Sequence, residues 1–147
     1  TFFRPWGFFL RWEWSAQMII DSSALLAILF NEPEKDSFLK LIQANPKSKM
    51  SVANYLECAI RVDSFRNPVL SRIFDELFTA LGIELEPVNI EQTKLARQAF
   101  VDYGKGNGHP AALNFGDCFA YALTKEKQDR LLFKGNDFSN TDLLQAK

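Results

Sequence analysis

Little sulfur, one imidazole and no excess of positive charge bound what this chain can be. Only two cysteines occur, Cys58 and Cys118, in no C-x-x-C pair, and His109 is the single histidine. That excludes a disulfide framework and a zinc cage of thiolates and imidazoles, and it makes free thiols in a reducing cytosol the simple expectation. The formal net charge is −1 and the pI about 5.8. A nucleic-acid partner would therefore be held by local contacts, because the broad basic field of an avid duplex binder is missing. The longest apolar run, residues 24–30, falls far short of the roughly 20 residues of a membrane-spanning helix. A cytoplasmic protein with no membrane partner is expected.

What is there fits one core: 147 residues, 47% of them hydrophobic, match a single domain of about 100 to 150 residues. The opening stretch TFFRPWGFFLRWEWSAQ stands apart, holding all three tryptophans and four of the fourteen phenylalanines without helical or strand period. It lacks the continuous apolar stretch and small-x-small cleavage site of a signal peptide. Met18 opens MIID as a natural start would. The TGG codon of Trp14, followed by an AGY codon for Ser15, would spell a GGAG ribosome-binding sequence shortly upstream. Residues 1–17 are read as a translated leader or an expression-derived extension outside the core, and residues 18–147 as one domain. The alternative is a native extension whose aromatic side chains cover an apolar patch or a partner groove.

From Met18 onward strands and helices alternate. MIID reads as a buried parallel strand ending at Asp21, with Ser22 and Ser23 as capping residues for the helix of ALLAILF. A helix after Pro33 carries Phe38, Leu41 and Ile42 and stops at Asn45-Pro46. Residues 49–52 form a weak strand, and Ser51 caps a helix running to about residue 65. Pro68 admits another over 69–81, stopped by Gly82. Residues 83–88 alternate as an edge strand before an amphipathic helix with Ile90, Leu95, Ala99 and Tyr103. A glycine-rich loop at 104–108, a helix over 115–127, a strand at 131–133 and a last short strand at 141–144 complete the chain. This order predicts a three-layer α/β/α domain with a central, mostly parallel sheet, whose ligands bind beyond the carboxyl ends of the strands.

Four acidic residues fall at such places. Asp21 ends the first strand, where a ligand of an open parallel sheet sits. Glu57 shares a helical turn with Ala53, Leu56 and Ile60 and so borders an apolar stripe, although a solvated glutamate is the plainer reading. Asp117 lies in the first turn of its helix, where the macrodipole favours a carboxylate, and forms a capping-box pattern with Asn114. Asp137 follows the strand at 131–133, with Asp142 as its competitor and a polar surface turn as the alternative. Carboxylates gathered within a few ångströms repel, and a cation makes their crowding tolerable. Mg²⁺ or Mn²⁺ does so through oxygen ligands and supports phosphodiester hydrolysis without a histidine base.

On MIIDSSALLAILFNEPE, the LEC around Glu57, GHPAALNFGDCFAYALTK around Asp117 and the closing LLFKGNDFSNTD, residues 18–144 resemble the PIN-domain ribonuclease toxins of the VapC type. The resemblance implies a PIN-like nuclease domain whose acidic quartet, both catalytic and metal-binding, falls on Asp21, Glu57, Asp117 and Asp137. It implies endonucleolytic RNA cleavage with Mg²⁺ or Mn²⁺, with transfer RNA the substrate that family habit suggests. It further implies a homodimer and inhibition by a VapB-type antitoxin whose tail enters the acidic groove. The chain departs from its subgroup at Gly108, where relatives often carry arginine before the His-Pro pair, so no substrate contact is carried over to that loop.

Arg61, Arg66, Lys94, Arg97, Lys105 and Lys134 offer phosphate contacts, of which one or two are expected to matter. His109 reads as structural and the two cysteines as small core residues. A haloacid-dehalogenase-type phosphotransferase would need a second aspartate two residues after Asp21, where Ser23 stands. A receiver domain would need one after its third strand, and ELEPVN supplies none. The runner-up is a catalytically silent PIN module that binds RNA or protein, against which the four filled acidic positions argue.

Overall fold

Met18, Ile19 and Ile20 are all wholly buried, which requires a strand covered on both faces. The computed structural model describes residues 17–147, and the reading of the N-terminal extension lies outside the described residues. In chain order the elements are β1 (Met18–Ile20), α1 (Ser22–Leu29), α2 (Lys35–Ala44), β2 (Lys49–Ser51), α3 (Val52–Asp63), α4 (Pro68–Leu81), β3 (Glu84–Glu86), α5 (Ile90–Tyr103), α6 (Phe115–Lys127), β4 (Arg130–Leu132), a 3₁₀ turn (Phe138–Asn140) and β5 (Leu144–Gln145). The five strands lie in the order β3-β2-β1-β4-β5, and every pairing is parallel, with Ile19 opposite Leu131 at the centre.

Strand alternation sorts the core into two layers. Met18, Ile20 and Leu132 point to one face and pack with Ala24, Leu25 and Ile28 of α1, Ile42 of α2, Val62 of α3 and Phe74 of α4. Ile19 and Leu131 point to the other and meet Ala99 of α5 with Ala120, Tyr121 and Leu123 of α6. The three-layer arrangement follows directly, with α1 to α4 on one face and α5 and α6 on the other.

Local chemistry sets the helix ends. The Ser51 hydroxyl accepts the Ala53 amide at 3.2 Å and starts α3. Asn67 accepts the Val69 and Leu70 amides with Pro68 in the first turn of α4, and Gly82 ends that helix at φ 65°, a left-handed conformation glycine enters freely. The edge strand is shorter than the alternation at 83–88 predicts: β3 pairs only over Glu84–Glu86, and Pro87 has no amide proton to extend the ladder. The strand expected at 131–133 pairs as β4 over Arg130–Leu132, while Phe133 stays buried just beyond it, and the last strand pairs as β5 over Leu144–Gln145, beyond the expected 141–144.

Leu131 is wholly buried in the α5–α6 layer, so Leu131→Ala is expected to cost about 3 kcal/mol. Ile90 is exposed, and Ile90→Ala should move stability by less than about 0.5 kcal/mol. Urea denaturation of both variants checks the layer assignment, and equal losses would contradict it.

Candidate active site

The chain leaves β1 toward β2 and β3, then crosses to β4 on the opposite side, which puts a crevice at the carboxyl ends of β1 and β4. Asp21 is the first residue beyond β1, its amide donating to the Leu132 carbonyl at 2.9 Å. Its carboxylate Oδ2 accepts both the Ser23 amide at 3.0 Å and the Ser23 hydroxyl at 2.6 Å. Asp21 itself is therefore the cap of α1, and the expectation that Ser22 and Ser23 cap it is corrected. An aspartate caps as well as serine, and with the cap filled one residue earlier both hydroxyls turn to carboxylates. Ser23 Oγ also accepts the Lys134 amide at 3.0 Å, tying the exit of β4 to Asp21.

Ser22 reaches the other way. Its hydroxyl donates to Glu57 Oε1 at 2.5 Å and lies 3.2 Å from the Asn54 carbonyl. Asn54 Nδ2 stands 3.4 Å from the same Glu57 oxygen and donates to the Gly116 carbonyl at 2.9 Å. Gly116 lies in the first turn of α6, and a Cβ built on it would fall inside the Glu57 carboxylate, so the absence of a side chain lets Glu57 rest against the α6 backbone. One residue on, Asp117 Oδ2 accepts the Asn114 amide at 3.0 Å while Asn114 Oδ1 accepts the Asp117 amide at 2.9 Å, the capping box the sequence predicts.

The electrostatics bind these pieces into one field. Burial pushes the Asp21 carboxyl up to about 6 against the pull of Ser23, and the charge of Glu57 adds to the rise. Burial likewise raises Asp117 to about 7, with the charges of Asp21, Asp137 and Glu57 adding to it. Asp137 is near enough for its charge to reach Asp117; it is exposed and makes no capping hydrogen bond to the 3₁₀ turn it precedes. Asp142 is otherwise engaged, accepting the Tyr121 hydroxyl at 2.7 Å and the Lys125 ammonium at 2.8 Å. Despite partial burial, those two donors hold its carboxyl below the usual range.

The family description "PIN domain" matches residues 18–144. The chain belongs to the PIN-domain family. Ribonuclease VapC28 of Mycobacterium tuberculosis is 46% identical over 129 residues, which span 88% of this chain and 97% of that protein. Ribonuclease VapC42 of the same organism is 40% identical over 88% of this chain and 98% of its own length. Among solved structures, M. tuberculosis VapC20, a sarcin-ricin loop cleaving toxin, superposes with a TM-score of 0.69 at 13% identity, covering 87% of this chain and 97% of that one. A toxin–antitoxin complex from Klebsiella pneumoniae gives 0.65 at 12% identity, over 85% and 92%. The two superpositions show that this PIN domain shares its fold with both of those chains.

The donor chemistry of this PIN domain suits a hard divalent cation. The acidic oxygens are held by serine hydroxyls and by amides, which orient carboxylates without neutralising them. Among the described residues no lysine or arginine bonds to Asp21, Glu57, Asp117 or Asp137. Among the same residues no three acidic, histidine or cysteine side chains converge on one cation position. His109 lies outside this set. Its Nδ1 accepts the Ala111 amide at 3.0 Å and its ring packs edge-on against Tyr103, a structural use in keeping with the sequence reading.

Two features escape a sequence reading. The residues beside Glu57 on α3, Leu56 at 56% and Ile60 at 61% exposure, face solvent, while Asn54, Cys58 and Val62 face the core; the stripe bordering Glu57 is thus surface. Asn54 and Gly116 organise the crevice, and each carries a faint signal, because asparagine and glycine are poor helix formers placed inside helices.

Raised carboxyls have a thermodynamic consequence. A folded-state pKa above the unfolded value means the folded protein binds the proton more tightly, so stability present below about pH 4 is lost as pH rises through the folded pKa. For Asp21, shifted from 3.8 to about 6, the loss is on the order of 2 to 3 kcal/mol. With EDTA present, the melting temperature should fall between about pH 5 and about pH 7.5, and Mg²⁺ or Mn²⁺ should restore it at the higher pH. A metal-free protein that melts at the same or a higher temperature at the upper pH would contradict this electrostatic picture.

Proposed function

We propose that this protein is an endoribonuclease dependent on Mg²⁺ or Mn²⁺ held by Asp21, Glu57, Asp117 and Asp137, and that it serves in the cytoplasm as the toxin of a type II toxin–antitoxin pair. The observation that carries the reading is the coupling of three remote chain segments, through Ser22, Asn54 and Gly116, around carboxyls that burial and mutual repulsion raise to about 6 and about 7. A divalent cation offsets that repulsion. The naming of relatives at 40 to 46% identity as ribonucleases supports the same reading.

When bound, the cation would stabilise the charge developing on the scissile phosphate and promote ionisation of the attacking water. The chain's own residues set the ligands in place. Ser23 fixes Asp21 through its amide and hydroxyl, Ser22 and Asn54 fix Glu57, and Asn114 fixes Asp117. Hydrolysis adds one water across a P–O bond of the RNA backbone and yields one phosphate end and one hydroxyl end. Arg61, one helical turn beyond Glu57, is placed to contact a neighbouring phosphate. Lys134 is less available, since its ammonium pairs with Glu32 at 2.9 Å and Glu34 at 3.4 Å.

An apolar rim beside the acid supports the partner part of the reading. Ala53, Leu56, Ile60, Phe115 and Phe119 line a groove that includes Glu57, and Phe115 is 80% exposed. Such a groove suits an antitoxin tail that carries apolar side chains and a cation for the crevice. The exposed Ile90, Phe100 and Val101 of α5 offer a separate apolar face for a homodimer.

Protein freed of antitoxin should cleave structured RNAs, transfer RNA among them, in Mg²⁺ or Mn²⁺ and stop in EDTA. Asp21→Asn should lower the rate by more than about a hundredfold while still co-purifying with the antitoxin, and Asp142→Asn should stay within about threefold of the parent. A fully active Asp21→Asn protein would remove the site assignment. Absence of cleavage by the folded parent across several RNAs would favour a silent binding module.

A further inference from the structure

Asn54 is wholly buried, yet its Oδ1 has no hydrogen-bond donor among the described residues. The amide orientation is fixed by its surroundings: Nδ2 faces two acceptors, the Gly116 carbonyl at 2.9 Å and Glu57 Oε1 at 3.4 Å, and the reversed amide would set oxygen against both. A buried carbonyl without a partner costs roughly 1 to 3 kcal/mol. Leucine has nearly the shape of asparagine and would carry no such cost at this position. Nor does Gly116 need the bond, since a carbonyl in the first turn of a helix accepts the amide four residues on. Fold stability alone gives no reason for an amide here.

Position gives one. Residue 54 touches every segment that brings a buried or half-buried carboxylate to the crevice. Its backbone carbonyl lies 3.2 Å from the Ser22 hydroxyl next to Asp21, and its side chain spans from Glu57 on α3 to Gly116 on α6, next to Asp117. We propose that Asn54 is a positioning residue that sets the separation between Glu57 and Asp117, and thereby the affinity of the crevice for a divalent cation. This rests on the four-carboxylate reading above and adds to it a residue outside the quartet. Groups behind metal ligands commonly change affinity by about 10 to 100-fold when removed.

Asn54→Leu separates the roles. Positioning predicts a protein that melts in EDTA at or above the parent temperature yet binds Mn²⁺, measured by calorimetry, about 10 to 100-fold more weakly. Its RNA cleavage should show a lowered kcat that recovers as Mn²⁺ is raised, with KM for RNA unchanged. Asn54→Ala, which only removes atoms, gives the same readout should leucine prevent folding. Mn²⁺ affinity within about twofold of the parent in a folded Asn54 variant would overturn the proposal. Asp21→Asn serves as the reference: Mn²⁺ binding lost there but intact in Asn54→Leu dismisses only Asn54, whereas a parent protein that binds no Mn²⁺ removes the metal site and this inference together.

Discussion

Repulsion among carboxylates that are oriented but not neutralised is the constraint on which the site depends. Asp21 is buried and Asp117 half-buried, and each feels the charge of Glu57. Had a lysine or arginine filled the space between them, the carboxyls would fall below their usual range, as Asp142 does beside Lys125, and the crevice would be electrically closed. Hydroxyl and amide donors behave differently. They fix geometry and leave the negative charge in place, so a mobile cation has something to neutralise.

That arrangement is affordable because the rest of the domain is built to hold it rigidly. Asp21 directly follows the central strand, Glu57 lies on the helix after β2 and Asp117 in the first turn of α6, and each has a wholly buried residue close by in the chain: Ile20 before Asp21, Cys58 after Glu57, Ala120 one turn beyond Asp117. Cys58 adds a weak contact of its own, its thiol 3.7 Å from the Ser22 carbonyl. Burial raises that thiol to about 12, which leaves it protonated and inert and fits a packing role. Tight interior packing thus resists the relaxation by which like charges would otherwise move apart.

Much of this was legible beforehand, and the reasons differ by element. Asp21 announced itself because a carboxylate directly after an apolar run sits at a strand end whatever the details of the fold. The Asn114–Asp117 box was readable because capping is a local code. Glu57 was harder, since a helix glutamate beside Leu56 and Ile60 has the same pattern whether that stripe faces core or solvent; only the packing of Asn54, Cys58 and Val62 inward decides it. What separates Asp142 from Asp137 is its bonding to Tyr121 and Lys125, which are near it in space but 21 and 17 residues away in sequence. Gly116 and Asn54 matter through distances across helices, which no periodicity encodes.

The surface beside the crevice completes the physical picture. Phe115 opens α6 and is largely exposed, with its ring edge-on to Phe119 at 4.9 Å. A phosphodiester gains nothing from an apolar rim of this kind, because backbone recognition is electrostatic and polar. Two phenylalanines held one turn apart at the mouth of an acidic site are instead suited to a polypeptide that sets apolar side chains on the rim and a positive charge inside. Substrate and inhibitor can then share the crevice while drawing on different forces. Under the proposed function the carboxylate field, with a cation, would serve the chemistry, and the apolar rim would add to a protein partner's affinity a contribution that the phosphate backbone cannot draw on.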